Sequence, residues 1–468
     1  MTKPVQHLTV AERIAKGKAV RAALPRARHA EWTGSQRGLQ PLDLLAEQAQ
    51  TRIPELVPIR RGRMAASPFA YYRGAALPMA ADLATMPHSG LTVQVCGDAH
   101  LSNFGGFASP EREMLFDVND FDETLPGPFE WDLKRLAASF EVAARSRRLD
   151  TATARALAVG SVQSYREGIR AFAGMPNLQV WYARLDVPEM VQRWGGDVGR
   201  KVLRDAERNV AKAQAKDQIK ARAKLTTRVN GGVRFTADPP LLVPIDELYG
   251  DVEAKVLQES IHDAIRDYRR TLSGNRRHLL ESYQYVDLAR KVVGVGSVGT
   301  RAWVALFVGR DPDDTLILQV KEAEPSVLER FLPKSTFANC GQRVVEGQRL
   351  MQAASDVFLG WHRIREGLDG RPHDYYVRQL WDWKFSANID TMPVEVMGVY
   401  ARMCGFTLAR AHARSGDAVA IGAYLGRSDV FDRALADFAG AYADQNEADH
   451  QALQHAIAAG RVNAETGV

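Results

Sequence analysis

Asp98 and Asn103 stand five residues apart in VCGDAHLSNFGGF (95–107), and Asp117, Asp120 and Asp122 crowd the segment that follows. The apolar, β-branched run LTVQV (91–95) reads as a strand feeding a Gly-Asp turn. The short loop after it can point Asp98 and Asn103 into one site. A carboxylate, an amide oxygen and a further carboxylate suit Mg2+, which takes hard oxygen ligands and few of them from protein. Nucleotide phosphates would fill the remaining positions. Carboxylates packed this densely repel one another unless a counter-ion lies among them. Asp98 and Asn103 with a further carboxylate could hold the metal, and Asp120 is the candidate for that carboxylate, with Asp117 and Asp122 competing for its place. Strand alternation from Phe116 puts Asp120 and Asp122 on one face and Asp117 on the other. The plain alternative is that Asp and Asn beside Gly are turn residues and that Asp132 caps a helix.

A second set lies far downstream. Gly294-Val295-Gly296-Ser297-Val298-Gly299 is a complete G-x-G-x-x-G. In a dinucleotide-binding fold such a loop opens a helix. Here TRAWVALFVG (300–309) continues as a strand, so the glycines turn a β-hairpin whose backbone N–H groups can approach phosphates. An ordinary hairpin turn is the competing reading. Lys321 sits in the apolar stretch LILQVKEA, and a buried ammonium needs a carboxylate or a bound anion. Glu346, in RVVEGQRLMQ, is the expected carboxylate, with Glu329 as its rival; a lysine snorkelling from a strand end is the plain reading. Arg73, alone among apolar residues in PFAYYRGAA, is expected to contact phosphate or to brace Asp98 or Asp132.

Helical periodicity in LTVAERIAKGKAVRAAL ends at Pro25, and a helix is expected from Phe69 to Thr85, kinked or ended by Pro78. EMLFDV (113–118) reads as a strand, and residues 131–146 and 151–173 as amphipathic helices. The basic run 199–225 reads as a solvated helix face or one wall of a phosphate cleft. Three strands follow at 283–293, 300–309 and 315–321, then a helix at 340–353, strands at 356–362 and 374–381, and a helical tail from 393 to 460.

The first cluster resembles the aminoglycoside phosphotransferase branch of the kinase-like fold. In that branch and in protein kinases an Asp, four residues and an Asn form the catalytic loop, and a second Asp followed by an aromatic holds Mg2+. A third Asp about a dozen residues later braces the loop. Asp98, Asn103, Asp120-Phe121 and Asp132 agree in order and spacing, although Cys96 stands where kinases place His. The resemblance implies that Gly294, Gly296, Ser297, Gly299 and Lys321 bind ATP phosphates and that Glu346 pairs with Lys321. It also implies that backbone groups of Gln379, Leu380 and Trp381 meet adenine, and that LARAHARSG (408–416) ends the helix which normally runs into the catalytic loop. The glycines follow Asp98 here, so the implied fold is α+β, protein-kinase-like, two-lobed and circularly permuted. Residues 1–282 would form the helical lobe, 283–384 the β-rich lobe, and 385–468 the helices that complete the first. The segments RMAASPFAYYRGAA, CGDAHLSNFG and DVNDFDETLPGPFEWDLKRL, with the stretch around VGVGSVGTR, also resemble the bacterial domain of unknown function 2252 family. That resemblance brings no known reaction.

The expected activity is Mg-ATP-dependent phosphotransfer to a hydroxyl or amine of a small molecule. The short interval between Asp120 and Asp132 leaves no room for the long activation segment of protein kinases. A nucleotide-binding pseudokinase and transfer of AMP are the alternatives. A net charge of +5 over 468 residues gives no indication of nucleic acid. Cys96, Cys340 and Cys404 form no C-x-x-C pair, which points away from a disulfide framework and towards a cytoplasmic protein. No apolar run is long enough for a membrane span.

Overall fold

The computed structural model describes residues 7–197, 199, 204, 208, 218–229, 231–249, 251–292, 294–367, 369–380 and 383–467. The fold is α+β. Its centre is a six-stranded antiparallel sheet with the order β11-β12-β10-β9-β8-β7. These strands are β7 (Leu242–Pro244), β8 (Gln284–Lys291), β9 (Ala302–Val308), β10 (Thr315–Ala323), β11 (Gly360–Ile364) and β12 (His373–Gln379). Three of them match the strands expected between 283 and 321, and the helix Cys340–Met351 packs on β10, β11 and β12 as expected.

Both faces of β10 are covered. Leu316 and Leu318 meet Tyr268 of the helix Asp251–Thr271 and Leu272 just beyond it, whereas Ile317 packs with Leu242, Leu306 and Leu380. Strand alternation then carries Gln319 and Lys321 on the Ile317 face. The pairing of β10 with β12 sets Gln319 opposite Arg378 and Lys321 opposite Tyr376.

The helical part surrounds a small second system. β1 (Thr92–Val95) pairs with β4 (Leu125–Pro128), and β2 (Phe104–Ala108) with β3 (Met114–Val118). β2 went unread in the sequence because Gly105-Gly106 breaks its apolar alternation. A further strand, β13 (Phe385–Ser386), reaches back from the end of the sheet region to pair with Gly105 and Gly106. A hairpin of β5 (Thr226–Val229) and β6 (Gly232–Phe235) was also missed. Of the basic run 199–225, residues 218–225 form a helix and most of the rest lies outside the described residues.

The helix Phe129–Ser146 is almost wholly buried and contacts both Thr151–Ala173 and Val430–Ala458. Residues 69–85 form two helices, Pro68–Gly74 and Ala76–Ala84. Pro78 neither kinks nor ends a helix, because it falls in the first turn of the second, where its missing N–H has no partner to lose. The tail is three helices, Val394–Ser415, Ala418–Leu425 and Val430–Ala458. The first of them ends against β1, where Ser415 Oγ accepts a hydrogen bond from Gln94 N at 3.2 Å. Among the described residues no helix is long and apolar enough to cross a membrane.

Candidate active site

The turn from β1 into the loop at 96–103 is held from below by one carboxylate. Asp132, in the first turn of Phe129–Ser146, accepts hydrogen bonds from Cys96 N at 2.8 Å and Gly97 N at 3.0 Å. His412 Nε2 lies 3.2 Å from the same carboxylate, and Tyr165 OH lies 2.9 Å from His412 Nδ1. Gly97 has φ +82°, and a side chain there would run into the carbonyl of Glu123, so only glycine fits. Asp132 therefore braces the loop, as its spacing predicts.

Asp98 is braced by a different residue. Arg135, one helical turn after Asp132, pairs with Asp98 Oδ1 through Nε at 2.8 Å and Nη2 at 2.7 Å. Its guanidinium also lies over the Tyr72 ring, 4.0 Å from the centroid. Arg73 makes no hydrogen bond or ion pair among the described residues, which corrects the bracing role expected of it. Its guanidinium lies at the cleft instead. Burial pushes the Asp98 carboxyl above the usual carboxylate range, and Arg135 works against that rise. Asn103 donates Nδ2 to the Asp98 carbonyl at 2.8 Å, and Asn119 N donates to the Asn103 carbonyl at 3.0 Å.

The three competing aspartates have separate partners. Asp117 is fully buried and pairs with Arg410 at 2.6 Å and with the amide of Ala353 at 2.9 Å, so it has no capacity left for a metal. Asp122 takes Lys321 Nζ on Oδ2 and Tyr376 OH on Oδ1, the latter at 2.8 Å. The cross-strand pair Lys321 and Tyr376 thus grips one carboxylate. Burial alone would raise Asp122, but the ammonium of Lys321 holds it below its ordinary value. Among the described residues Asp120 accepts only the amide of Asp122, at 3.2 Å, and it lines the cleft.

Lys321 pairs with neither glutamate expected of it. Glu346 bonds Arg349 at 3.0 Å, one turn along its own helix. Gln348, two residues and about 200° further round the helix, is the residue that reaches the cavity beside Lys321. Glu329 caps Ser326 N at 3.2 Å and lies 3.8 Å from Arg343 Nε.

The glycine-rich segment does turn the hairpin between β8 and β9, with Gly294 at φ +67° and Gly299 at φ +91°. It is pinned from outside. Ile53 N donates to the Gly299 carbonyl at 2.8 Å, Arg63 to the Gly294 carbonyl at 2.6 Å, and Arg52 to the Val298 carbonyl. Ser297 Oγ lies 3.4 Å from Asp122.

These groups converge on two adjoining cavities. The larger, about 830 Å3, is lined by Asp98, Asn103, Asp120, Asp122 and the glycine loop. The smaller, about 310 Å3, is lined by Lys321, Arg378, Gln348, Gln379 and Leu380. Arg73, Asn103, Asp120, Gly294 and Ser297 line both. Of the backbone groups expected to meet adenine, two amides are already engaged, although Gln379 and Leu380 line the smaller cavity. Gln379 N donates to Asp356 and Leu380 N to the Ile317 carbonyl at 3.0 Å, so neither amide is available to a base. Trp381 lies outside the described residues.

Sequence reasoning missed Arg135, Tyr376 and Arg410. Arg410 and His412 did carry a signal, since they are cationic or polar residues in the apolar face of LARAHARSG. Glu123, which lines the larger cavity, was also missed. Burial pushes its carboxyl up to about 7. A carboxyl raised in the folded state binds more protons there than in the unfolded chain. Its contribution to stability is therefore greatest below the unfolded value and falls as pH rises towards 7. Glu123→Gln is expected to remove a stability loss on the order of 1–3 kcal/mol between pH 5 and pH 8. Urea midpoints of both proteins at the two pH values check this; parallel shifts in the two would refute it.

The class so far is an α+β chain whose 98–103 loop, Asp120 and glycine-rich segment line adjoining cavities. The chain belongs to the bacterial family described as "Uncharacterized protein conserved in bacteria (DUF2252)", whose model matches residues 52–456. No curated protein and no solved structure matches the chain.

Proposed function

We propose that the protein is a Mg-ATP-dependent phosphotransferase of protein-kinase-like fold with its lobes in permuted order, acting on a hydroxyl or amine of a small molecule. One observation carries the reading. Asp98, Asn103 and Asp120 meet Gly294–Gly299 and Lys321 at adjoining cavities although about two hundred residues separate the two sets. Supporting it is the order of hairpin, lysine strand, helix and following strand along 284–379. The abutment of Ser415 on β1 supports the permutation, because it places the end of one helix where the chain into the catalytic loop begins.

The donor set fits a hard cation. Asp120 spends one oxygen on a single amide, and Asn103 Oδ1 has no partner among the described residues. No cluster of three or more His, Cys, Asp or Glu side chains able to hold a metal occurs among the described residues, which suits an ion completed by phosphate oxygens. Bound there by Asn103 and Asp120, Mg2+ would neutralise phosphate charge. Lys321 would hold phosphate oxygens of the donor, exchanging part of its bond to Asp122 for them. Asp98 would receive the acceptor's proton, its carboxylate oriented by Arg135.

Incubating the purified protein with Mg2+, cell extract and either γ- or α-labelled ATP tests this. Movement of the γ label to a small molecule is expected. Movement of the α label alone would assign AMP transfer, and no movement of either would overturn the proposal. Lys321→Met/Asp122→Asn removes the pair without stranding a buried charge. It is expected to lower transfer by at least about 100-fold with a stability change under about 2 kcal/mol. Equal loss of stability and transfer would make the pair structural.

A further inference from the structure

The larger cavity holds cations that the reading above does not use. Arg52 and Arg60 are 6% and 2% exposed, and both line its wall with Arg73. None of the three has a carboxylate partner within ion-pair distance among the described residues. Arg52 donates Nη1 to the Val298 carbonyl, and Arg60 donates Nη2 to Gln48 at 2.9 Å and the Gly74 carbonyl at 2.8 Å. Arg52 Nη2, Arg60 Nη1 and the whole Arg73 guanidinium donate to nothing in the described protein. The Nε atoms of all three are buried without a partner.

The carboxylates around the same cavity are mostly spent. Glu47 pairs with Arg330 at 2.7 Å, Asp98 with Arg135, Asp122 with Lys321, and Glu322 with Arg301 at 3.1 Å. Glu123 accepts the amide of Val327 at 2.7 Å, and Asp120 accepts that of Asp122 at 3.2 Å. Among the described residues Asp120, Glu123 and Glu324 have no cation within ion-pair distance, and none of the three reaches Arg52, Arg60 or Arg73. Buried charge is costly unless it is paired, and burial already draws Arg52, Arg60 and Arg73 below their ordinary values. A planar guanidinium with spare N–H groups matches an oxyanion in shape and charge.

We propose that Arg52, Arg60 and Arg73 form a binding site for an anionic group, a carboxylate or a phosphate, carried by the acceptor substrate. The site itself follows from the unpaired guanidiniums; calling its ligand the acceptor rests on the phosphotransferase reading. Arg73 lines both cavities and lies between donor and acceptor, whereas Arg52 and Arg60 belong to the acceptor side alone.

The test uses the full chain at constant ionic strength. Inorganic phosphate and, separately, succinate are titrated by calorimetry, with and without saturating Mg2+ and a non-hydrolysable ATP analogue. Saturable binding of at least one anion is expected, and which one binds separates phosphate from carboxylate. Arg60→Gln is expected to weaken it at least about tenfold while the analogue's affinity changes less than about twofold. Arg60→Lys, which keeps the charge and loses the fork, is expected to fall between, and it serves where the glutamine variant does not fold. Absence of saturable binding of either anion to the wild type overturns the proposal, as does binding that neither variant weakens. Anion binding without analogue binding would sink the phosphotransferase reading and leave this site standing; the converse result would do the opposite.

Discussion

Asp98→Asn is expected to cut transfer between about 100- and 10,000-fold while Mg-ATP still binds. Both Arg135 contacts reach Oδ1, which an asparagine can supply as an amide oxygen, so the loop between Cys96 and Asn103 should hold its shape. What disappears is the group able to take a proton. Because burial raises the Asp98 carboxyl, the wild-type rate should climb with pH above the ordinary carboxylate range, as Asp98 loses its own proton. The variant should show no such limb. Asp120→Asn should behave differently and lose Mg-ATP affinity as well, since Asp120 lines both cavities and would bear on the metal. Calorimetric titration of Mg-ATP alongside pH–rate profiles separates the two. If Asp98→Asn retains more than about a tenth of wild-type transfer, Asp98 is not the proton acceptor.

The largest effect on stability is expected at Arg410→Ala. Arg410 and Asp117 are each 1% exposed at the side chain, and one guanidinium nitrogen reaches both carboxylate oxygens and the Met351 carbonyl, at 2.6, 2.8 and 2.8 Å. Truncating the arginine strands a buried carboxylate whose remaining donors are the amides of Ala353 and Val118. The cost should be about 3–5 kcal/mol. Arg410→Met/Asp117→Asn removes both charges and keeps an acceptor for Ala353 N, so at least half of the loss should return. Chemical unfolding of the three proteins measures this. A loss below about 1 kcal/mol for Arg410→Ala would mean that the pair does not fasten the tail helix to β3.

Local rules were enough for five strands of the sheet but not for β7, which joins it from the stretch expected in the helical lobe. The runs at 302–308 and 315–323 are β-branched and apolar, with glycine before the first, so strand, hairpin and strand could be read directly. Asp132 was legible through the kinase resemblance, which expects a bracing Asp about a dozen residues after Asp120. The partner of Lys321 was not. Glu346 is near it in sequence, but helix phase turns that residue away, and Asp122 arrives from the other half of the chain. Nor could the hinge amides be read. Gln379 N is claimed by Asp356 and Leu380 N by Ile317, and both contacts depend on how β12 and its neighbours settle. Arg73 had equal claims as brace and as ligand contact in the sequence; only the position of Arg135 showed that the bracing place was filled.

The same long-range pairing governs how the chain reaches this state. Asp122 meets Lys321 across 199 residues, Asp132 meets His412 across 280, and Asp117 meets Arg410 across 293. Each of these three aspartates is translated before its partner. At about 5–20 residues per second, Asp117 waits between about 15 and 60 s for Arg410 to be made. During that interval it cannot be buried cheaply, so the hairpin has no reason to dock. Contact order this high also makes loop closure the slow step once synthesis is complete. Burial of Asp117 is therefore expected only after Arg410 has been made.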